Sequence, residues 1–416
     1  MIVFKFGGAS VNSAPAVRNM AAIVSRHWAD KKTVVVVSAM GKTTNMLEQL
    51  VTNDRITVEQ GAMLQRVRDY HYAIVHELFP DKTHPIYSAL DTLFAQLQAQ
   101  VSLPATDYNF DYSQTVCYGE LVSSTIISHY LNHIGLKNRW VDIRRIIRTD
   151  NQYREGIVDF ATTQRLSASL NEGDDRLIVT QGFIAGSADG HTSTLGREGS
   201  DYSASILSYC LGAESMTIWK DVPGFLNADP KYFPNTVKIE QIPYNEAIEL
   251  AYYGASVIHP KTVKPIQNKN IRLYIKSFLD PDAPGSVVGP YDTIQPLTPL
   301  YIFKNNQTLL SILPKDFSFI AEDNLQTIFA ALARLNIRVN LMQNTALSFS
   351  LCIDDNPMLL SQLRDQLQHQ FHLRYNQGLQ LITIRYYTQH IIDHIVGSRT
   401  ILLQQHTRTT AQLIIQ

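Results

Sequence analysis

The chain is short of the features that mark several large protein classes. Its 416 residues include only three cysteines, and Cys117, Cys210 and Cys352 match no zinc or redox spacing. That excludes a disulfide scaffold and a cysteine metal site. There is no uninterrupted apolar run of about 18 residues, so no membrane span is expected. The start, MIVFKF, is already strand-like and lacks the charged-then-apolar order of a secretory leader. A reduced, cytoplasmic protein is the expectation. A charge surplus is missing too: Lys plus Arg total 36 against 37 for Asp plus Glu. A general nucleic-acid or acidic-membrane binder would carry a basic excess, so neither partner is expected.

What is present is core-forming. Hydrophobic residues make up 45% of the chain, enough at this length for two or three domains. Strand-like runs alternate with helical patterns through the first part. IVFKF (2–6), TVVVVSA (33–39), KNRWVDI (137–143), RLIVTQGF (176–183), SMTIWKDV (215–222) and IRLYIKSF (271–278) read as strands. Helices are expected over 14–28, 118–133, 201–212 and 244–254, the first starting at Ser13 with Pro15. Met63, Val67, Tyr70, Ile74 and Leu78 form one apolar stripe, and Leu90, Leu93, Leu97 and Val101 another; both read as core packing. The alternation predicts a layered α/β fold with a mostly parallel central sheet, in which ligands bind beyond the carboxyl ends of strands.

The texture changes at Pro281-Asp282-Ala283-Pro284-Gly285, with Gly289-Pro290 after it. Beyond lies a denser βαββαβ order, an α+β module over 291–378, then a shortened copy over 379–416.

Four stretches carry candidate chemistry. In VFKFGGAS, Lys5 precedes Gly7 and Gly8. Such a trio handles phosphate: the glycines let backbone approach closely, and the lysine adds charge. A tight turn with a snorkelling lysine reads the same way. SAMGKTTN (38–45) resembles the end of a P-loop, but Val36 stands where its first glycine belongs, so that motif is rejected. Thr44 remains a candidate substrate contact. In TSTLGREGSDYSAS (192–205), Gly196 and Gly199 bracket Arg197, a residue suited to gripping a carboxylate. Ser200 or Asp201 there could instead cap the next helix. Glu120 follows Tyr118-Gly119 at an expected helix start, where it could complement the dipole or hold an ammonium. IWKDVPGFLNADPK (218–231) reads as a nucleotide-edge loop or a plain turn, and His259 in GASVIHPKTV as a structural histidine. No residue set has metal-ligand spacing.

Taken together, KFGGAS, SAMGKTTN, GELVSS, DIRRIIRTD, TQGFIAG, TSTLGREGSDYSA, DVPGFLNADP and GASVIHP resemble the aspartokinases of the amino acid kinase fold family. They run in the family's order from residue 4 to about 260, and the tail resembles ACT modules. The resemblance implies an amino acid kinase catalytic domain over 1–290, followed by the ACT-like module and its shortened copy. It implies ATP- and Mg2+-dependent phosphorylation of the L-aspartate side chain to 4-phospho-L-aspartate. That reaction opens the route to lysine, threonine and methionine. By the same resemblance Lys5, with Gly7 and Gly8, neutralises the phosphoryl group. Asp201 organises Lys5 or the metal–nucleotide end. Thr44, Glu120, Arg197 and Ser200 bind aspartate. Lys220, Asp221, Leu226, Lys231 and Ser256 stand at nucleotide-contact positions. A homodimer or higher homo-oligomer and an amino acid effector at the ACT modules are also implied.

The chain departs from the family at three of these places. Ala9 stands for a usual threonine, so the loop's hydroxyl comes from Ser10 or is absent; Ser256 stands for a lysine and Leu226 for a tyrosine. Two rival readings are a kinase of another carboxylate such as glutamate, and an effector-binding protein with a dead kinase domain. The GREGSD stretch speaks against the first. Lys5, Glu120, Arg197 and Asp201 speak against the second.

Overall fold

The computed structural model describes residues 1–27, 31–51, 58–255, 257–316 and 318–416. These divide into two compact units: residues 1–226, 238–251 and 256–296, and residues 227–237, 252–255 and 297–416.

In the first unit β1 (Ile2–Phe6) leads through a 3-10 turn over Gly8–Val11 into α1 (Ala14–His27). Ser13 caps that helix, its hydroxyl accepting from the Ala16 N–H at 3.3 Å. β2 (Thr33–Val37) is buried along its whole length, as a β-branched strand covered on both faces should be. α2 (Thr43–Glu48), α3 (Val58–Leu78), α4 (Ile86–Val101) and α5 (Tyr108–His133) follow. Val67, Ile74, Leu78, Leu90 and Leu97 are buried, so both stripes are core. α5 begins at Tyr108 rather than at 118, because the Asp107 carboxylate caps it by accepting from the Asn109 and Phe110 N–H groups at 3.0 Å each.

The unit continues with β3 (Arg139–Val141), β4 (Arg148–Thr149), α6 (Phe160–Ser167), β5 (Leu177–Gln181), β6 (Ile184–Ser187) and β7 (Thr192–Thr194). Then come α7 (Gly199–Leu211), β8 (Ser215–Lys220), β9 (Phe225–Leu226), β10 (Lys238–Ile239), β11 (Gln241–Pro243), α8 (Tyr244–Tyr253), α9 (Pro260–Gln267), β12 (Arg272–Ser277) and β13 (Ser286–Gly289). The central sheet has the order β11-β13-β12-β8-β1-β2-β5-β3 and is parallel except between β12 and β13. β1 therefore sits mid-sheet, with Lys5 in register with Val36 of β2 and Ile218 of β8. The chain leaves β1 toward β2 on one side and later fills the other side with β8. That reversal opens a crevice at the carboxyl ends of these strands.

The second unit contains β14 (Leu300–Pro314), α10 (Glu322–Arg334), β15 (Val339–Asn344), β16 (Phe349–Asp354) and α11 (Pro357–Leu367). β17 (Phe371–Arg385), α12 (Gln389–Val396), β18 (Ile401–His406) and β19 (Thr410–Ile415) complete it. One antiparallel sheet runs β15-β16-β14-β17-β19-β18. Leu310, Ile312, Ile328, Leu332, Phe349, Leu363 and Phe371 form one core, and Ile382, Ile384, Ile392, Ala411 and Leu413 a second. The division expected at 378/379 falls inside β17. Gly378 takes a φ of 69° there, so the strand bends through the junction and stays paired to β14 on both sides of it.

Candidate functional site

Lys5 lies at the carboxyl end of a buried strand and is itself 7% exposed. Its ammonium meets the buried Asp201 carboxylate at 2.7 Å. Lys220, the last residue of β8, reaches the other oxygen of Asp201 at 3.3 Å and also donates to the Val257 carbonyl. Asp201 thus bridges two cations from adjacent strands. Burial works to raise its pKa, but Lys5 and Lys220 overcome that and hold it below the usual carboxylate range. Burial disfavours the Lys220 ammonium, and Asp201 and Glu198 more than restore it, so its pKa is raised.

Of the two glycines after Lys5, Gly8 is there for close approach. A Cβ on Gly8 would lie 2.8 Å from the Gly41 carbonyl oxygen and 2.9 Å from that of Ala39, so no side chain fits where these loops meet. Ser10 does not supply the missing hydroxyl to the cleft. It is buried and donates to the Trp219 carbonyl at 3.3 Å, tying the turn to β8.

Glu120 is not at a helix start. It lies inside α5, fully buried, so the dipole reading fails. Gly119 beside it packs on the loop after β2, where an added Cβ would be 2.9 Å from that of Ala39. The Ala39 N–H donates to Glu120 Oε1 at 3.2 Å, while Oε2 has no hydrogen-bond partner. Burial pushes the Glu120 carboxyl up to about 8 despite that bond.

A cleft of ≈ 590 Å³ joins these groups; Lys5, Gly8, Thr44, Glu120, Arg197, Ser200, Asp201 and Lys220 all line it. Arg197 is exposed within it and makes no ion pair among the described residues. Ser200 and Asp201 do not cap α7, which begins at Gly199 with Glu198 in the capping position; both sit inside its first turn. Gly7, Asp221, Leu226 and Lys231 do not line the cleft. Asp221 is exposed just past β8, and Leu226 pairs with Lys238 in a two-stranded ribbon. Lys231 belongs to the second compact unit. Ser256 lies outside the described residues. His259 is structural as expected: it precedes α9 and its Nδ1 accepts from the Lys261 N–H at 3.2 Å.

Sequence reasoning passed over Arg154, Tyr112 and Glu198, which also line the cleft. The Arg154 guanidinium carbon stands 4.4 Å from the Tyr112 ring centre, with a nitrogen 3.2 Å from Glu48. Glu198 has a φ of 52°, the left-handed region, at a cost of about 1 kcal/mol for a residue with a Cβ. Its Oε2 is buried without a hydrogen-bond partner. Burial raises its pKa, opposed by Lys220 and Lys5. The sequence does carry a signal for it: an ionisable residue stands between Arg197 and Gly199 in a turn that favours glycine.

Among the described residues there is no cluster of three or more His, Cys, Asp or Glu able to hold a metal, and no helix long and apolar enough to cross a membrane. The site consists of Lys5, Lys220 and the Asp201 carboxylate at the strand ends with Glu198 beside them, and of Glu120 and Arg197 elsewhere in the same cleft. Such an arrangement can hold an anionic group against the lysines and a small zwitterion near Glu120 and Arg197.

The sequence pattern of the amino acid kinase family matches residues 1–277. Lysine-sensitive aspartokinase 3 of Escherichia coli K12 is 32% identical over 408 residues, covering 92% of this chain and 86% of its own. The chloroplastic aspartokinase 2 of Arabidopsis thaliana is 32% identical over 373 residues, covering 85% of this chain and 66% of the plant protein. The structure of E. coli aspartokinase III with aspartate and ADP (R-state) superposes with a TM-score of 0.84 at 27% identity, covering 100% of this chain and 96% of that one. Its complex with lysine and aspartate (T-state) gives 0.82 at 28%, with 100% and 95% covered. The chain belongs to the amino acid kinase family and, within it, to the aspartokinases.

Proposed function

We propose that the chain transfers the γ-phosphoryl group of ATP to the side-chain carboxylate of L-aspartate, giving 4-phospho-L-aspartate. This is the first step of the aspartate-derived route to lysine, threonine and methionine. The observation that carries the reading is the Lys5–Asp201–Lys220 bridge, 2.7 and 3.3 Å long, in one cleft with Glu120 and Arg197.

An aspartate side chain with pKa about 3.9 is ionised at neutral pH and is already a nucleophile. No general base is needed. Catalysis then consists of placing two anions together and neutralising the charge between them. Lys5 and Lys220 face the phosphate chain, held in place by Asp201. The close packing at Gly8 brings backbone N–H groups to the same end. Arg197 grips the α-carboxylate of aspartate and Glu120 its ammonium, with Thr44 and Ser200 lining the substrate space. Asp221, Leu226, Lys231 and Ser256 remain assignments to the nucleotide edge that rest on the family pattern alone.

Mg2+ fits this cleft as a companion of the nucleotide. Mg2+ is commonly held by one or two carboxylates and substrate phosphates rather than by an all-protein cage. Asp201 and Glu198 are the carboxylates near the lysines. When bound, the ion supplies further neutralisation of phosphate charge.

We further assign 1–290 to catalysis, with the ACT-like module over 291–378 and its copy over 379–416 to effector binding and homodimerisation. We also assign the enzyme to the cytoplasm. A coupled assay with aspartate, glutamate and acetylglutamate, repeated with each end-product amino acid added, tests the assignment. Turnover with a carboxylate other than aspartate alone would overturn it.

A further inference from the structure

The aspartate assignment above gives Glu198 no role, yet the chain holds it in the left-handed region, at a φ of 52°. The glycines on either side of this turn, Gly196 and Gly199, show that the loop readily uses residues without a Cβ. The carboxylate lines the cleft with Lys5, Asp201 and Lys220, and its Oε2 is buried with no hydrogen-bond partner. Lys220 and Lys5 are the cations that act on it most strongly, and Asp201 repels it.

Charge at the nucleotide end then has a simple form. Asp201 cancels one of the two lysines, and Glu198 cancels the other. With Glu198 ionised, the lysine centre is neutral; without it, the centre carries one positive charge.

A free nucleotide brings its whole phosphate charge to this centre and meets a carboxylate whose buried Oε2 has no hydrogen-bond partner. A metal-loaded nucleotide arrives with two of those charges removed and with a cation that a carboxylate attracts. Like charges placed together in a partly desolvated site are a strong way to reject the wrong ligand. Resting on the ATP assignment above, we propose that Glu198 is the specificity residue that makes the nucleotide subsite select metal-loaded over free nucleotide.

The test is calorimetric binding of ADP to the full chain, once with excess Mg2+ and once in EDTA. It compares the wild type with Glu198→Gln, which removes only the charge, and Glu198→Gly, which also relieves the backbone. Both variants should bind free ADP about tenfold more tightly than the wild type, while Mg–ADP binds no more tightly and loses whatever the carboxylate's attraction for the metal contributed. The ratio of the two dissociation constants therefore shrinks in both. A purely structural Glu198 would shift the melting temperature and leave that ratio alone. An unchanged ratio in both folded variants overturns the proposal while leaving the nucleotide site standing. A folded wild type that binds neither form of ADP overturns the nucleotide site itself, and this inference with it.

Discussion

Glu120 gives the most quantitative forecast. Its carboxyl is fully buried with a pKa pushed up to about 8, so the free enzyme holds it neutral at pH 7. Gripping an ammonium requires the carboxylate. Aspartate must therefore bind to the minority ionised form, and its apparent KM should carry the factor for deprotonating Glu120. With that pKa the factor falls about fiftyfold between pH 6 and pH 8. Glu120→Gln keeps the acceptor for the Ala39 N–H but has no charge to gain. A charge-assisted hydrogen bond is worth about 1.5–3 kcal/mol, so at pH 8 the variant's aspartate KM should be roughly 10- to 100-fold above wild type. The two curves should converge near pH 6, where both side chains are neutral.

Stability gives a second readout of opposite sense. The folded pKa lies above the ordinary 4.5, so the folded state binds more protons than the unfolded one between those values. The Glu120 contribution is complete at acid pH and is lost as pH rises through about 8. The loss by pH 7 is about 3 kcal/mol in the free enzyme. The Gln variant escapes it, so its melting temperature should gain on wild type as pH rises from 5 to 8. The assay is aspartate KM at saturating ATP across that range, with thermal melts of the free proteins. Parallel KM profiles for the two proteins would refute the argument.

Lys5→Met should keep the fold, because Lys220 still pairs with Asp201 at 3.3 Å, while kcat drops about a thousandfold or more; near-normal kcat would remove Lys5 from the phosphoryl site. For Arg197→Ala, aspartate KM should rise about tenfold or more with ATP KM nearly constant, and equal rises would misplace the arginine. Sedimentation should find a homodimer or larger assembly at micromolar concentration, and a stable monomer would contradict the role given to the tail.

Much of this architecture could be read from residue patterns, because long buried strands leave continuous β-branched runs. TVVVV and LIVTQ are buried throughout. The start of α5 was hidden because Asp107 sits in a polar, aromatic stretch whose helical face is not apolar. The strand expected over 137–143 shrank to Arg139–Val141; the Asn138 side chain instead bonds back to the Ser128 and Leu136 carbonyls at 3.0 and 3.1 Å. In the tail, β17 crosses the expected module boundary, since pairing to a single long partner outweighs a local glycine.

The cleft was legible where charge stands next to glycine, as at Lys5 and Arg197, and these positions do come together with Glu120 and Asp201. It was not legible where a side chain earns its place through tertiary contact. Arg154 reaches the cleft by way of Tyr112 and Glu48, from distant parts of the chain. The burial of Glu120 depends on a helix that begins at Tyr108. Glu198 sits in a glycine-flanked turn whose residue pattern does not show the left-handed backbone it adopts.

The most direct test of the central claim is to incubate the purified chain with Mg–ATP and L-aspartate and trap the product with hydroxylamine. An acyl phosphate on the side chain yields aspartyl hydroxamate, and that product is expected with aspartate and absent with glutamate or acetylglutamate. A folded chain that forms hydroxamate only from another carboxylate, or that binds ADP and aspartate yet forms none, would contradict the account.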